Sequence, residues 1–173
     1  MSEQNINDAT SHSNEDISQF LTFLLAGEIY GISILDIREL IEYEGVTSVP
    51  MMPDFIAGVI NIRGAVVPVI DLTSRFDGNK TKITKRTSII IAEVENEDLK
   101  IEVGVIVDEV KEVLNIAIND IEPAPTFGSK IRTDFISGMG KVEDELLVLL
   151  EVRKVLSIEE LLLVKDMNKG KKS

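Results

Sequence analysis

The 173-residue sequence predicts a mainly β protein built as two similar barrel lobes, with short helical turns and one C-terminal helix. Three observations carry that reading. Apolar, β-branched segments recur with brief polar turns between them. A stretch of the first half reappears in the second at matched spacing. Each half holds only about five short strands, and closing such a sheet into a barrel removes its exposed edges.

Residues 1–16 carry Glu3, Asp8, Glu15 and Asp16 with no basic residue, and are expected to form a disordered tail. Residues 17–85 are expected to form the first lobe and 86–156 the second. Residues 20–26 and 29–34 read as a hairpin turning at Gly27-Glu28, and residues 88–94 and 99–107 as a second hairpin around the polar 95–98. The short apolar runs 66–70 and 146–150 suit buried strands. Pro68 cannot donate to a ladder, which puts its strand at an edge or a bulge. Ser157 followed by Glu160 has capping-box spacing and opens a helix over 157–166. Residues 167–173 are expected to form a basic, disordered end.

The duplication is the strongest feature. GISILDIRELIE (31–42) resembles GVIVDEVKEVLN (104–115), and DFIAG (54–58) matches DFISG (134–138). From Gly58 and from Gly138, 13 residues lead to an acid, Asp71 and Glu151, each closing an apolar strand and starting a helical turn. The D-F-I-x-G element itself is expected to be one helical turn, capped by Asp and ended by Gly.

A duplicated fold supplies its own control. Where the copies agree, the residue serves the shared fold; where they differ, it is free of that demand. Arg63 aligns with Glu143, so neither charge is a generic need of that turn. Its planar fork suits a carboxylate or backbone partner on another protein; the alternative is a surface ion pair with Asp71 or Asp36, worth little. The second copy has a longer connection around residues 121–128, where Pro123 and Pro125 stiffen a loop that either presents Phe127 or folds it inward. Ile37, Leu40 and Ile41, with Glu39 and Glu42 among them, are either core or an apolar patch for another protein.

Composition excludes several functions. The net charge of −12 opposes phosphate-driven binding of nucleic acid, and 5% aromatics with no Trp leave little to stack on bases. The tails nearly cancel (−4 and +3), so the acidity belongs to the middle of the chain. There is no Cys, and the one histidine, His12, lies in the leader, which leaves no His-based triad, His metal cluster or thiol nucleophile. No phosphate-binding glycine motif occurs, and Asp108-Glu109, adjacent on a strand, point to opposite faces and make a poor acid–base pair. No catalytic residue, metal site or cofactor is expected. Neither a signal peptide nor a run of about 20 apolar residues is present; the chain is expected to be soluble, in a reducing compartment, without membrane insertion.

At this point the segment PDFIAGVINIRGAVVPVIDL (53–72) closely resembles the signature of the CheW family of chemotaxis coupling proteins. Tyr30-Gly31, GVIVDEV (104–110) and IEPAP (121–125) match that family in order and spacing, and the resemblance runs from about residue 19 to 164. It implies two intertwined five-stranded SH3-like β-barrels. It also implies a non-catalytic adaptor that joins chemoreceptor (methyl-accepting chemotaxis protein) tips to the regulatory domain of the histidine kinase CheA. Such an adaptor is cytoplasmic, monomeric in solution, and assembles in arrays at the inner membrane. The matching positions imply receptor contacts at Ile37, Glu39, Arg63, Ile89 and Val110, and kinase contacts at Leu40, Ile41 and Phe127. Glu122 and Ala57 stand where some members carry basic residues, so ion pairs made there would be absent or reversed. Other readings are a CheW-like scaffold of another receptor–kinase pathway such as surface motility, a small-ligand-binding barrel, and a carboxylate hydrolase.

Overall fold

The computed structural model describes residues 16–96, 98–123, 135–157, 159, 160, 163 and 164. Eleven strands dominate it: β1 (Ile17–Leu25), β2 (Glu28–Ser33), β3 (Ile37–Glu42), β4 (Ile56–Ile62), β5 (Ala65–Asp71), β6 (Ser88–Asn96), β7 (Leu99–Val107), β8 (Glu109–Ala117), β9 (Ile121–Glu122), β10 (Ile136–Val142) and β11 (Glu145–Leu150). One short helix, α1 (Leu72–Asp77), follows β5, with the Asp71 side chain accepting the Ser74 N–H as its N-cap. Glu151 precedes a 3₁₀ turn, Val152–Lys154, at the matching place.

The strands form two sheets, in the orders β3-β6-β7-β5-β4 and β8-β1-β2-β11-β10-β9. Under the duplication β1 to β5 correspond to β6, β7, β8, β10 and β11, so the two orders are the same order. The sheets do not follow the expected division at residue 85/86. The five-stranded sheet takes three strands from the first repeat and two from the second, and the six-stranded sheet two from the first and four, β9 included, from the second. This is because the second strand of each repeat pairs in parallel with the last strand of the other: β5 with β7, and β2 with β11. The repeats are intertwined, and neither can close its barrel alone.

Alternation along the strands sorts the side chains into three cores. Val67, Val69, Ile89, Ile91 and Ile106 fill the first barrel, and Phe20, Ile116, Leu147 and Leu149 the second. The largest cluster lies between the barrels and takes the opposite faces of the same strands: Leu21, Phe23 and Leu25 of β1, Ile90, Ala92 and Val94 of β6, Val103, Val105 and Val107 of β7. The glycines shared by the repeats face inward opposite their parallel partners. A Cβ on Gly104 would lie 2.8 Å from Ile89 Cγ2, and one on Gly31 3.0 Å from Leu149 Cδ2.

In the first copy the D-F-I-x-G element is not a helical turn, whereas in the second Phe135 stands in a 3₁₀ turn. Ile56 N donates to Pro53 O, and the chain then enters β4 with a bulge between Ile56 and Gly58; β10 has the same bulge between Ile136 and Gly138. The buried Phe55 and Phe135 offer their carbonyls to Asp71 N and Glu151 N, both at 2.8 Å. Each bulge glycine gives room to the segment that closes its barrel. Thr47, beyond β3, bridges to Val59 beside Gly58, and β9, beyond β8, pairs with Met139 and Gly140.

Three smaller expectations also move. The first hairpin turns at Ala26-Gly27, both with positive φ, one residue earlier than the spacing suggested. The second hairpin is tighter than expected, with Asn96 and Leu99 already paired. Pro68 lies in a strand flanked on both sides, yet its missing N–H costs nothing: Val59, its partner on β4, spends both backbone groups on Thr47, and pairing with β7 starts at Val69. The expected capping box is present, Ser157 N donating to Glu160 Oε1 (2.7 Å) and Glu160 N to Ser157 Oγ (3.1 Å). Val164, further along the capped segment, is fully buried in the inter-barrel core.

Candidate functional site

Arg63 occupies the first position of the β4–β5 hairpin turn with φ 51°, followed by Gly64 at φ 86°; Glu143 and Asp144 hold the same left-handed turn between β10 and β11. A two-residue turn of this hand matches strand twist, but the left-handed region is unfavourable for a residue that carries a Cβ. Asn61 Oδ1 accepts the Gly64 N–H at 3.0 Å and steadies the first turn. Curling of the sheet brings this tip to β3, at the far edge of the strand order, where Arg63 Nη2 donates to Glu39 Oε1 at 2.8 Å. The anticipated partners Asp71 and Asp36 are not used. Asp71 is buried and accepts from Ser74 N, Thr81 N and Thr81 Oγ1.

The Arg63–Glu39 pair sits among further charges at this mouth of the barrel. Arg38 and Lys100 both pair with Glu93; hydrogen bonds to Glu93 and Glu39 raise the basicity of Arg38 and Arg63 respectively, and Glu102, the cross-strand neighbour of Glu93, adds a smaller push in the same direction. The hydrogen bond from Arg63 holds the Glu39 carboxyl below the ordinary glutamate range, against an opposing desolvation. The Arg63 side chain is 73% exposed. One nitrogen is fixed by Glu39 and the other donors of its fork face solvent, an arrangement suited to capturing a carboxylate or carbonyl on another protein.

The remaining anticipated residues divide. Ile37 and Val110 are equivalent positions in the two repeats, each half-buried against the inter-barrel core. Leu40 is 46% exposed on the edge strand β3, whereas Ile41 turns its side chain towards the first barrel's core. Ile89 does not join a surface: at 1% exposure it packs inside the first barrel, where alternation with Ile90 sends it. Phe127 lies outside the described residues. Glu122 pairs with Lys141 at 2.9 Å, both well exposed, so the reversed charge finds its partner within the chain.

Sequence reasoning missed Arg75. Its guanidinium lies 4.4 Å from the Phe55 ring centre and 5.3 Å from that of Phe135, the two aromatics of the repeated motif. It also donates to Val155 O (3.1 Å) and Glu160 Oε1 (2.8 Å), tying the C-terminal capping segment to both barrels. The repeated Phe was the available signal, but its cationic partner has no counterpart in the second copy. Among the described residues no group of three or more His, Cys, Asp or Glu is placed to hold a metal ion, and no helix is long and apolar enough to cross a membrane.

Comparison with known proteins follows the same lines. The CheW-like domain profile matches residues 19–160. The chain is 38% identical over 152 residues to the chemotaxis protein CheW of Klebsiella aerogenes, covering 88% of this chain and 89% of that one. It is 36% identical over 141 residues to chemotaxis protein CheW of Bacillus subtilis, covering 82% and 88%. The crystal structure of the scaffolding protein TtCheW from Thermoanaerobacter tengcongensis superposes with a TM-score of 0.74 at 36% identity, covering 83% of this chain and 90% of that one.

Proposed function

The chain belongs to the CheW-like family of chemotaxis scaffolds, and from that premise we propose that it is a non-catalytic adaptor coupling chemoreceptor signalling tips to the regulatory domain of the histidine kinase CheA. The observation that supports this most is Arg63, held by Glu39 with its other donors open to solvent at a turn where the second barrel carries Glu143. A receptor tip is a narrow helical hairpin. Arg63 fixes its orientation by charge-assisted hydrogen bonds, Glu39 holds the fork and takes a donor of the partner, and Ile37 and Val110 supply the apolar border. Ile89 backs this surface from inside the barrel. Leu40 on the edge strand and Phe127 face the kinase domain, with Ile41 anchoring Leu40 from below.

Signal passes if docking differs in free energy between receptor states, since a ligand shifts an equilibrium only by its differential affinity. Weak single contacts suffice, because an array at the inner membrane raises the effective concentration of each partner. The test is a co-capture with a receptor signalling tip and the kinase regulatory domain. The wild-type chain is expected to retain both, and Phe127→Ala to lower ternary assembly while leaving receptor binding intact. Equal loss of both contradicts the assignment of Phe127.

A further inference from the structure

A cleft of about 790 Å³ opens away from the Arg63 mouth, between the segment that follows α1 and the β1–β2 and β7–β8 turns. One wall is formed by Lys80, Lys82, Lys85 and Arg86, a run of four cations with no acid in a chain of net charge −12. Only Arg86 has a salt bridge, a long one of 3.5 Å to Glu109; Lys80, Lys82 and Lys85 have none with any described residue. The facing wall is apolar at Leu24 and Ala26, with Asp108 fixed at its edge by the Ala26 N–H (2.8 Å). Thr73 lines the same cleft; it is 8% exposed, and its hydroxyl finds no partner among the described residues.

Unpaired cations beside an unsatisfied hydroxyl call for an anionic, hydrogen-bonding occupant. An apolar wall and the carboxylates of Asp108 and Glu109 disfavour a bare polyphosphate, and a concave site does not meet a flat membrane. We propose that this cleft binds an acidic, amphipathic segment of a partner polypeptide, its carboxylates on Lys80, Lys82 and Lys85 and an apolar side chain against Leu24 and Ala26. This is a second docking site. The β7 strand separates Glu102, beside Arg63, from Asp108 at the cleft by six residues, about 20 Å of extended chain.

The test uses the full chain and fluorescein-labelled alternating Glu-Leu peptide, read by anisotropy. Binding is expected to weaken steeply with added salt, and to fall about tenfold or more in the triple variant Lys80→Glu/Lys82→Glu/Lys85→Glu, whose melting midpoint stays that of the wild type because all three side chains are exposed. A Glu-Ser peptide is expected to bind several-fold more weakly, and Arg63→Glu to leave the Glu-Leu peptide bound. Undiminished binding by the triple variant overturns the proposal. So does equal competition by inositol hexakisphosphate and the Glu-Ser peptide, which would mark simple anion exchange, or capture of phosphatidylglycerol vesicles in place of the peptide. Loss of the peptide with Arg63→Glu would put it at the other mouth; loss of receptor-tip capture alone leaves this site standing.

Discussion

The two barrels share strand order, bulges, turn type and closure, yet their mouths carry opposite chemistry. In the first, Glu39 and Arg63 form an attractive pair. In the second, the equivalent positions are Glu112 and Glu143, and both acids line one groove with Leu114 and Leu147. Other equivalent positions agree closely: Leu40 and Val113 are 46% and 49% exposed, while Ile41 and Leu114 both turn inward. The fold fixes which positions are surface and which are core. It leaves the charge at the mouth free, and there the repeats differ.

The comparison can be broken most severely at the bulge glycines. A Cβ at Gly58, at φ 154°, would fall 2.2 Å from Thr47 O, whereas one at Gly138 meets Ile121 Cγ2 at 2.8 Å and Glu122 O at 3.0 Å. Gly58→Ala is expected to cost about 3 kcal/mol or more and Gly138→Ala about 1–2 kcal/mol in urea unfolding. Equal costs would mean that the two bulge glycines are equally crowded. Next comes Arg75, which serves both repeats at once. Arg75→Ala removes two ring contacts and two hydrogen bonds from a side chain only 16% exposed. It is expected to lose about 2–4 kcal/mol, and a loss below about 0.5 kcal/mol would reduce it to an ordinary surface residue.

The ion pair at the first mouth responds to pH. Because Arg63 lowers the Glu39 pKa, the pair is intact at neutral pH and is lost as pH falls through that lowered value. Followed by the NMR shift of the Glu39 carboxyl carbon, Arg63→Ala should move the titration upward; no movement would mean the pair does not persist in solution. The smallest effect concerns the β1–β2 turn. Ala26 sits at φ 51°, and Ala26→Gly should raise stability by about 0.5–1 kcal/mol despite the entropy of glycine.

Much of this was legible in the amino-acid order. The duplication, the apolar runs and the Ser157–Glu160 box survive in the structure because each rests on local spacing. The exchange of strands between repeats was not legible from spacing, since pairing of β5 with β7 and of β2 with β11 is a long-range choice that leaves no mark on either strand's own pattern; the resemblance to a known family supplied it. Arg63 stood out because the copies disagree there, but its partner Glu39 is brought to it only by curvature of the sheet. Ile89 illustrates the opposite limit. Its strand is apolar on both faces, buried by a barrel on one side and by the neighbouring barrel on the other, so alternation could not say which way it points.

The most direct test of the docking account is the affinity of a receptor signalling tip for three chains: wild type, Arg63→Glu, and the reversed pair Glu39→Arg/Arg63→Glu. Reversal preserves the internal ion pair but inverts what it offers a partner. The account predicts wild-type melting midpoints, within a few degrees, for all three chains, since so exposed a pair contributes little, and loss of tip binding in both variants. Restored binding by the reversed pair would show that the pair only holds the barrel mouth together, and would contradict a docking role for Arg63.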